Sequence, residues 1–164
     1  MKTTIVGSYR KLIGAGDTLQ SPFLLAVRLY WGWQMAQTGW GKLVNLDRVT
    51  GYFTQLGLPA PGATAAFIAT LEFVGGIFLA AGLGSRLIAL LLAGDMIVAY
   101  VVADREALFS IFSDPNKFYA AAPYTFLVAC LIVLFFGPGK LSLDCWLSGW
   151  SGIREARRPE GSAI

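Results

Sequence analysis

The chain has 164 residues, enough for one domain of ordinary size. Only 14% of residues are charged and 55% are hydrophobic, where soluble domains carry roughly 25% charged residues, so lipid is part of this protein's solvent. The net charge of +3 comes without a long basic run, which excludes nucleic acid as a partner, and the absence of histidine removes the commonest general base, zinc ligand and haem ligand, so no metal site is expected.

The first 22 residues lack a long apolar core, so no cleaved signal peptide is expected. Four stretches approach the roughly 20 apolar residues that a membrane-crossing helix needs, at about 23–41, 63–83, 87–103 and 118–136. The first is entered through Pro22, which suits a first helical turn, and contains Arg28, Gln34 and Gln37. The connection "GLGSR", Gly82 to Arg86, is short enough to make the second and third spans antiparallel neighbours. The fourth span is free of charge although Pro123 lies near its start.

The two outer connections read as more than linkers. "NLDRVTGYFTQLGLP" sets Leu46, Val49, Phe53 and Leu56 at helical spacing and stops at Gly57 and Pro59, which predicts a short amphipathic helix at the interface. "DREALFSIFSDP" repeats the pattern with Leu108, Ile111 and Phe112 and ends at Asp114-Pro115. Trp31, Trp33 and Trp40 on the first span and Trp146 and Trp150 beyond the fourth fit interfacial belts. The expected fold class is all-α, an integral membrane four-helix bundle over residues 1–150 with short amphipathic helices in its two outer loops. The polar tail 151–164 is expected to be disordered.

Lys and Arg counts set the expected orientation. The side holding both termini collects Lys2, Arg10, Lys11, Arg86, Lys140, Arg154, Arg157 and Arg158, against Lys42, Arg48, Arg105 and Lys117 on the other. That asymmetry predicts a multi-pass protein of the bacterial inner (plasma) membrane with both termini in the cytoplasm.

Arg28, Glu72 and Asp95 lie inside the spans. A charge at the bilayer centre costs roughly 2.5–3.5 kcal/mol on insertion scales, so these three are expected to face one another in the bundle interior. On the second span Ala65, Ala69, Glu72, Gly76 and Ala80 form a stripe of small residues, which puts Glu72 on a packing face. On the first span Arg28, Met35 and Lys42 share a face. The expected polar pocket is therefore Arg28, Glu72, Asp95 and Lys42, with Trp31, Trp33, Gln34 and Tyr100 as its lining.

One internal arginine and two carboxylates leave a surplus acid. It can share the guanidinium, face water, or take up a proton because burial disfavours its charge. The last option makes a proton-handling site at mid-depth, while an ion-paired clasp that only fixes helix register is the plainer alternative. Cys130 is expected to act as a small core hydrophobe. Cys145, about 22 Å further along a straight helix, is out of its reach, which weighs against dithiol chemistry.

The order and spacing of "RLYWGWQMAQTGWGKL" (Arg28 to Leu43), "LGLPAP" (Leu56 to Pro61), "LEFVGGIFLAAGLGSRLIAL" (Leu71 to Leu90) and "FGPGKLSLD" (Phe136 to Asp144) resemble the DoxX family of small four-helix bacterial membrane proteins. The likeness covers about Ala26 to Asp144 and maps the family's polar positions onto Arg28, Lys42, Glu72 and Asp95. It carries no agreed catalytic residue. It implies association with membrane oxidoreductase complexes that deliver electrons to quinone.

The expected function is an accessory subunit of such a complex, with a quinone- or proton-handling pocket inside the bundle. No cofactor is intrinsic to the chain, and any redox centre belongs to a quinone or a partner. The expected partners are the lipid bilayer, a soluble or membrane oxidoreductase and a second copy of the chain. A non-catalytic scaffold that recruits other proteins is the alternative from another class, and a small proton or solute conductor ranks third.

Overall fold

The computed structural model describes residues 2–150, so the expectation for the tail 151–164 lies outside the described residues. The chain forms eight helices there: α1 (Lys2–Val44), α2 (Leu46–Gln55), α3 (Pro61–Ala81), α4 (Ser85–Val102), α5 (Arg105–Phe109), α6 (Pro115–Ala120), α7 (Ala122–Phe136) and α8 (Leu143–Trp150). The four expected spans correspond to α1, α3, α4 and α7. Each packs on two of the others in the cyclic order α1, α3, α4, α7, which leaves α1 with α4 and α3 with α7 as the diagonal pairs.

Two helices, α3 and α4, are long and apolar enough to cross a membrane. The bundle's outward surface is oily as well: Leu29 and Trp33 on α1, Phe67 and Ile77 on α3, Leu90 and Ile97 on α4 and Phe135 on α7 are all exposed. Such a surface needs a hydrocarbon environment, and a helix is the segment that satisfies its own backbone there. The core is small by comparison. It is built from Met35, Leu79, Ala89, Leu92, Met96, Cys130 and Val133, so Cys130 packs as a hydrophobe, and both cysteines are free.

Three boundaries differ from the expectation. The first span does not begin at Pro22: α1 runs through the proline, so Pro22 is internal. A proline removes one ladder bond, but the turns on either side of it stay helical. The fourth span begins at Ala122 and not near Phe118, because Pro123 has no N–H with which to continue a ladder upstream. Phe118 belongs to the separate helix α6, and Ala121 between them is extended. With 15 residues, about 22 Å of rise, α7 is shorter than the hydrocarbon core is thick. In the second outer loop the helix stops at Phe109. Ser110 turns its hydroxyl back to the Ala107 carbonyl at 2.8 Å, and Ile111 and Phe112 stand out of the helix, with Phe112 94% exposed.

The first outer loop behaves as expected. In α2, Leu46, Val49 and Phe53 are half-buried and Asp47, Arg48 and Thr54 are exposed, so the amphipathic helix lies across the outer end of α3.

The tightest contact in the bundle is α1 against α3, where backbone meets backbone. A Cβ added at Gly32 would come within 2.7 Å of Ala80 N and Gly76 O, and one at Gly76 within 2.5 Å of Ala36 N. Gly39 faces the Phe73 amide in the same way. Small residues on both helices permit this approach. It fixes an antiparallel register in which Gly32 faces Ala80, Ala36 faces Gly76 and Gly39 faces Phe73.

Candidate functional site

That register decides which charges meet. Lys42, one turn beyond Gly39 on α1, lies beside Glu72 on α3, and its Nζ donates to Glu72 Oε1 at 2.5 Å. Glu72 is 2% exposed, whereas the Lys42 side chain retains 30% exposure toward the outer end. Asp95, from α4 on the far side of the bundle, lies within electrostatic reach of both Glu72 and Lys42. The carboxylates therefore face inward beside a cation, as the sequence led us to expect, but the cation is lysine.

Arg28 does not join them, which corrects the expected four-residue pocket. It is fully buried at the opposite end of the bundle, because the same register sets it beside Gly82, ten residues and about 15 Å of helix away from Glu72. Its Nη2 donates to the Leu141 carbonyl, and Asp144 is its electrostatic partner. Asp144 also accepts hydrogen bonds from Gly84 N at 2.7 Å and Ser85 N at 2.8 Å, capping α4 from another segment. Its own N–H donates to the Gly82 carbonyl at 2.9 Å. Gly82 and Gly84 make the α3–α4 corner with φ of 74° and 57°, where a side chain would be strained. Arg28 is thus a structural clasp among α1, the corner and the segment leading into α8.

Above Lys42, Glu72 and Asp95 a cavity of about 530 Å³ opens toward the outer end. Its walls come from Thr38 of α1, Val49, Tyr52 and Phe53 of α2, Ile68 of α3, and Val98 and Val102 of α4, with Leu56 and Leu58 at the rim. The volume lies in the range of small-molecule sites, and the pattern of apolar walls around a few convergent polar groups is theirs too.

The expected lining is corrected. None of Trp31, Trp33, Gln34 and Tyr100 borders the cavity. Trp33 points outward, Trp31 packs edge-on against Phe126 with centroids 5.6 Å apart, and Gln34 is half-buried elsewhere on α1. Tyr100 is buried, stacks on Phe118 and donates its hydroxyl to the Phe118 carbonyl at 2.9 Å, which ties α4 to α6. The aromatic residues that do line the cavity, Tyr52 and Phe53, were read only as part of an interfacial helix. The signal that could have found them is proximity: the α2 stripe follows Lys42 after one short turn, so its apolar side must fold back over the lysine.

Together these features define a helical membrane protein with an acid–lysine cluster beneath an amphipathic cavity. The DoxX family model matches residues 23–105, which hold α2 to α4, the membrane part of α1 and every charged group of the cavity. An uncharacterized membrane protein of Mycobacterium tuberculosis (strain ATCC 25618 / H37Rv), Rv3486, is 30% identical over 139 residues, covering 77% of this chain and 82% of that protein. No solved structure matches. The chain belongs to the DoxX family.

Proposed function

We propose that this protein is an accessory subunit of a membrane redox complex and that its cavity holds the head group of a quinone. The observation that carries the reading is the placement of Lys42, Glu72 and Asp95 at the floor of a 530 Å³ cavity with apolar and aromatic walls. The residues fit such a ligand. Lys42 has three ammonium protons and commits one to Glu72, so it can donate to a ring oxygen. The Glu72 and Asp95 carboxyl groups lie within hydrogen-bond reach of each other, so one proton can be held between them. Tyr52 and Phe53 can flank a ring, and Val98, Val102 and Leu56 suit an isoprenoid tail.

A bound quinone supplies two-electron, two-proton chemistry. This chain's part is to orient the ring through Lys42, exclude water with the α2 roof, and hold or pass a proton at the Glu72 and Asp95 oxygens. Electrons then come from a partner subunit. The protein sits in the cytoplasmic membrane with both termini inside, an orientation supported by the distribution of Lys and Arg.

Purification in native nanodiscs, with extracted quinone counted per chain, tests this reading. Wild type should retain quinone above its share in bulk lipid, and Glu72→Gln should lose it without loss of folded protein. Equal quinone in the two preparations refutes the assignment.

A second reading, a scaffold that recruits a partner, is favoured by the outer loop, where Phe109 and Phe112 project with 71% and 94% exposure. Loss of a copurifying partner in Phe112→Ser, with retention in Glu72→Gln, selects it.

A further inference from the structure

The cavity lining carries more positive charge than negative. Asp95 is in hydrogen-bond contact with Glu72 across the floor, and two carboxyl groups that close do not both ionise, so one proton is held between them. The pair then bears a single negative charge, which Lys42 balances through its contact with Glu72 Oε1 at 2.5 Å. The floor is neutral, but the rim is not. Arg48 of α2 lines the same cavity, is exposed at its mouth, and carries a permanent charge. Among the described residues the ion pairs join Lys42 to Glu72 and Lys117 to Glu106, which leaves Arg48 without a carboxylate of its own. Asp47 beside it on α2 and Asp104 beyond α4 do not border the cavity. Further polar hydrogens face the same space: Lys42 commits one ammonium proton to Glu72 and keeps two, and Tyr52, one turn along α2 from Arg48, adds a hydroxyl.

A cation at the mouth of a cavity with apolar walls attracts anions more strongly than one on open surface, because low-dielectric walls focus its field. An anionic head group set there gains charge-assisted hydrogen bonds, roughly twice as strong as neutral ones, while Val49, Phe53, Val98 and Val102 cover its apolar part. We infer that the cavity favours amphiphiles whose head group bears a negative charge, held by Arg48 at the rim and by the free Lys42 protons at the floor. This rests on the function proposed above and names the kind of ring: a quinone with an ionised ring hydroxyl binds ahead of the same quinone without it. A fatty carboxylate offers the same charge on an apolar tail, and the test separates the two sources.

The test uses the full chain in nanodiscs of zwitterionic lipid and three probes with one alkyl tail: a naphthoquinone, the same ring with an acidic hydroxyl beside one carbonyl, which is an anion at neutral pH, and a straight-chain carboxylate. Equilibrium dialysis against empty nanodiscs removes the contribution of lipid partitioning. The anionic quinone should bind about tenfold more tightly than the neutral one, the range of a hydrogen bond to a charged group. Arg48→Gln should bring it down to the affinity of the neutral probe, and added salt should narrow the gap because Arg48 is exposed. Equal affinities of the two quinones, or an advantage that survives Arg48→Gln, overturn this inference and leave the proposed function standing. A carboxylate that binds while neither quinone does keeps the preference for charge and refutes the quinone assignment. Binding of none of the three beyond empty nanodiscs overturns both.

Discussion

Lys42 and Glu72 are thirty residues apart in the chain and meet at 2.5 Å, and neither chose the other by charge alone. The glycines and alanines between α1 and α3 set the register, and the register brings Lys42 against Glu72, with Asp95 of α4 beside the pair. Glu72 can stay in the interior because packing delivers an ammonium to it, and the cavity above exists because α2 turns back across that ion pair.

Removing the cation should therefore be costly. Lys42→Met leaves the Glu72 carboxylate buried and uncompensated, a loss of about 3 kcal/mol, at the low end for a buried pair because the lysine is partly exposed. The double variant Lys42→Met/Glu72→Leu should regain most of it, since the Glu72 charge is then gone, and adding Asp95→Asn removes the remaining acid of the cluster. Thermal unfolding in nanodiscs measures both. Equal destabilisation of the single and double variants shows that the pair does not bear on stability.

The helix contact makes an opposite pair of predictions for two glycines. Gly76→Val drives a side chain onto Ala36 N, where a Cβ already meets backbone at 2.5 Å, and should cost about 1–3 kcal/mol or prevent assembly. Gly94→Ala, on α4 with nothing within 4 Å of the new methyl, should stabilise by about 0.5–1 kcal/mol. Unfolding temperatures shifting the same way in both variants would contradict the packing described.

The sequence made the small-residue stripe of α3 legible because Ala65, Ala69, Gly76 and Ala80 recur at helical spacing. Its partner on α1, Gly32, Ala36 and Gly39, follows the same rule but is hidden among Trp31, Trp33 and Trp40, which suggest an interfacial belt. Without that partner there is no register, and without a register Arg28 and Lys42 are equal candidates for the acid. Depth within a span is readable from one helix, whereas contact between two helices is not. Asp144 is harder still: it lies outside every apolar stretch, and its capping of α4 follows only from how the corner at Gly82 and Gly84 folds.

At that corner, Asp144→Ala removes acceptors from Gly84 N and Ser85 N and should cost about 1–2 kcal/mol, with faster hydrogen exchange at the first turn of α4. Asp144→Asn keeps one oxygen and should fall between the two. Unchanged exchange at Ser85 in the alanine variant would remove the capping role.

Outside the membrane-spanning segments, Glu106 and Lys117 pair at 2.8 Å on the exposed outer loop. The Lys117 ammonium, by hydrogen bond and charge, holds the Glu106 carboxyl below the usual carboxylate range, and Glu106 in turn raises the Lys117 ammonium. Glu106's contribution is present above the ordinary carboxylate pKa and lost as pH falls through its lowered value. That of Lys117 is present below the ordinary amine pKa and lost as pH rises through its raised value. Carboxyl-carbon NMR titration should show Lys117→Met returning Glu106 to its ordinary range. Because the pair is open to solvent, added salt should weaken the shift and the unfolding temperature should not change. A Glu106 titration that is the same with and without Lys117 rejects the pairing.

Orientation is checked in a background where Cys145 is serine. Ser113→Cys should react with an impermeant maleimide added to intact cells, and Lys140→Cys only after lysis. Labelling in the reverse order inverts the proposed topology.

Arg28 is translated with the first span, yet the carbonyl it bonds belongs to Leu141 and the carboxylate it faces to Asp144. Until the ribosome has added the 113 residues that separate Arg28 from Leu141, a guanidinium waits in the nascent bundle with neither partner synthesised. Final closure is therefore a late event, and a message truncated before the codon for Leu141 should yield a chain that membrane quality control can recognise by its one stranded cation.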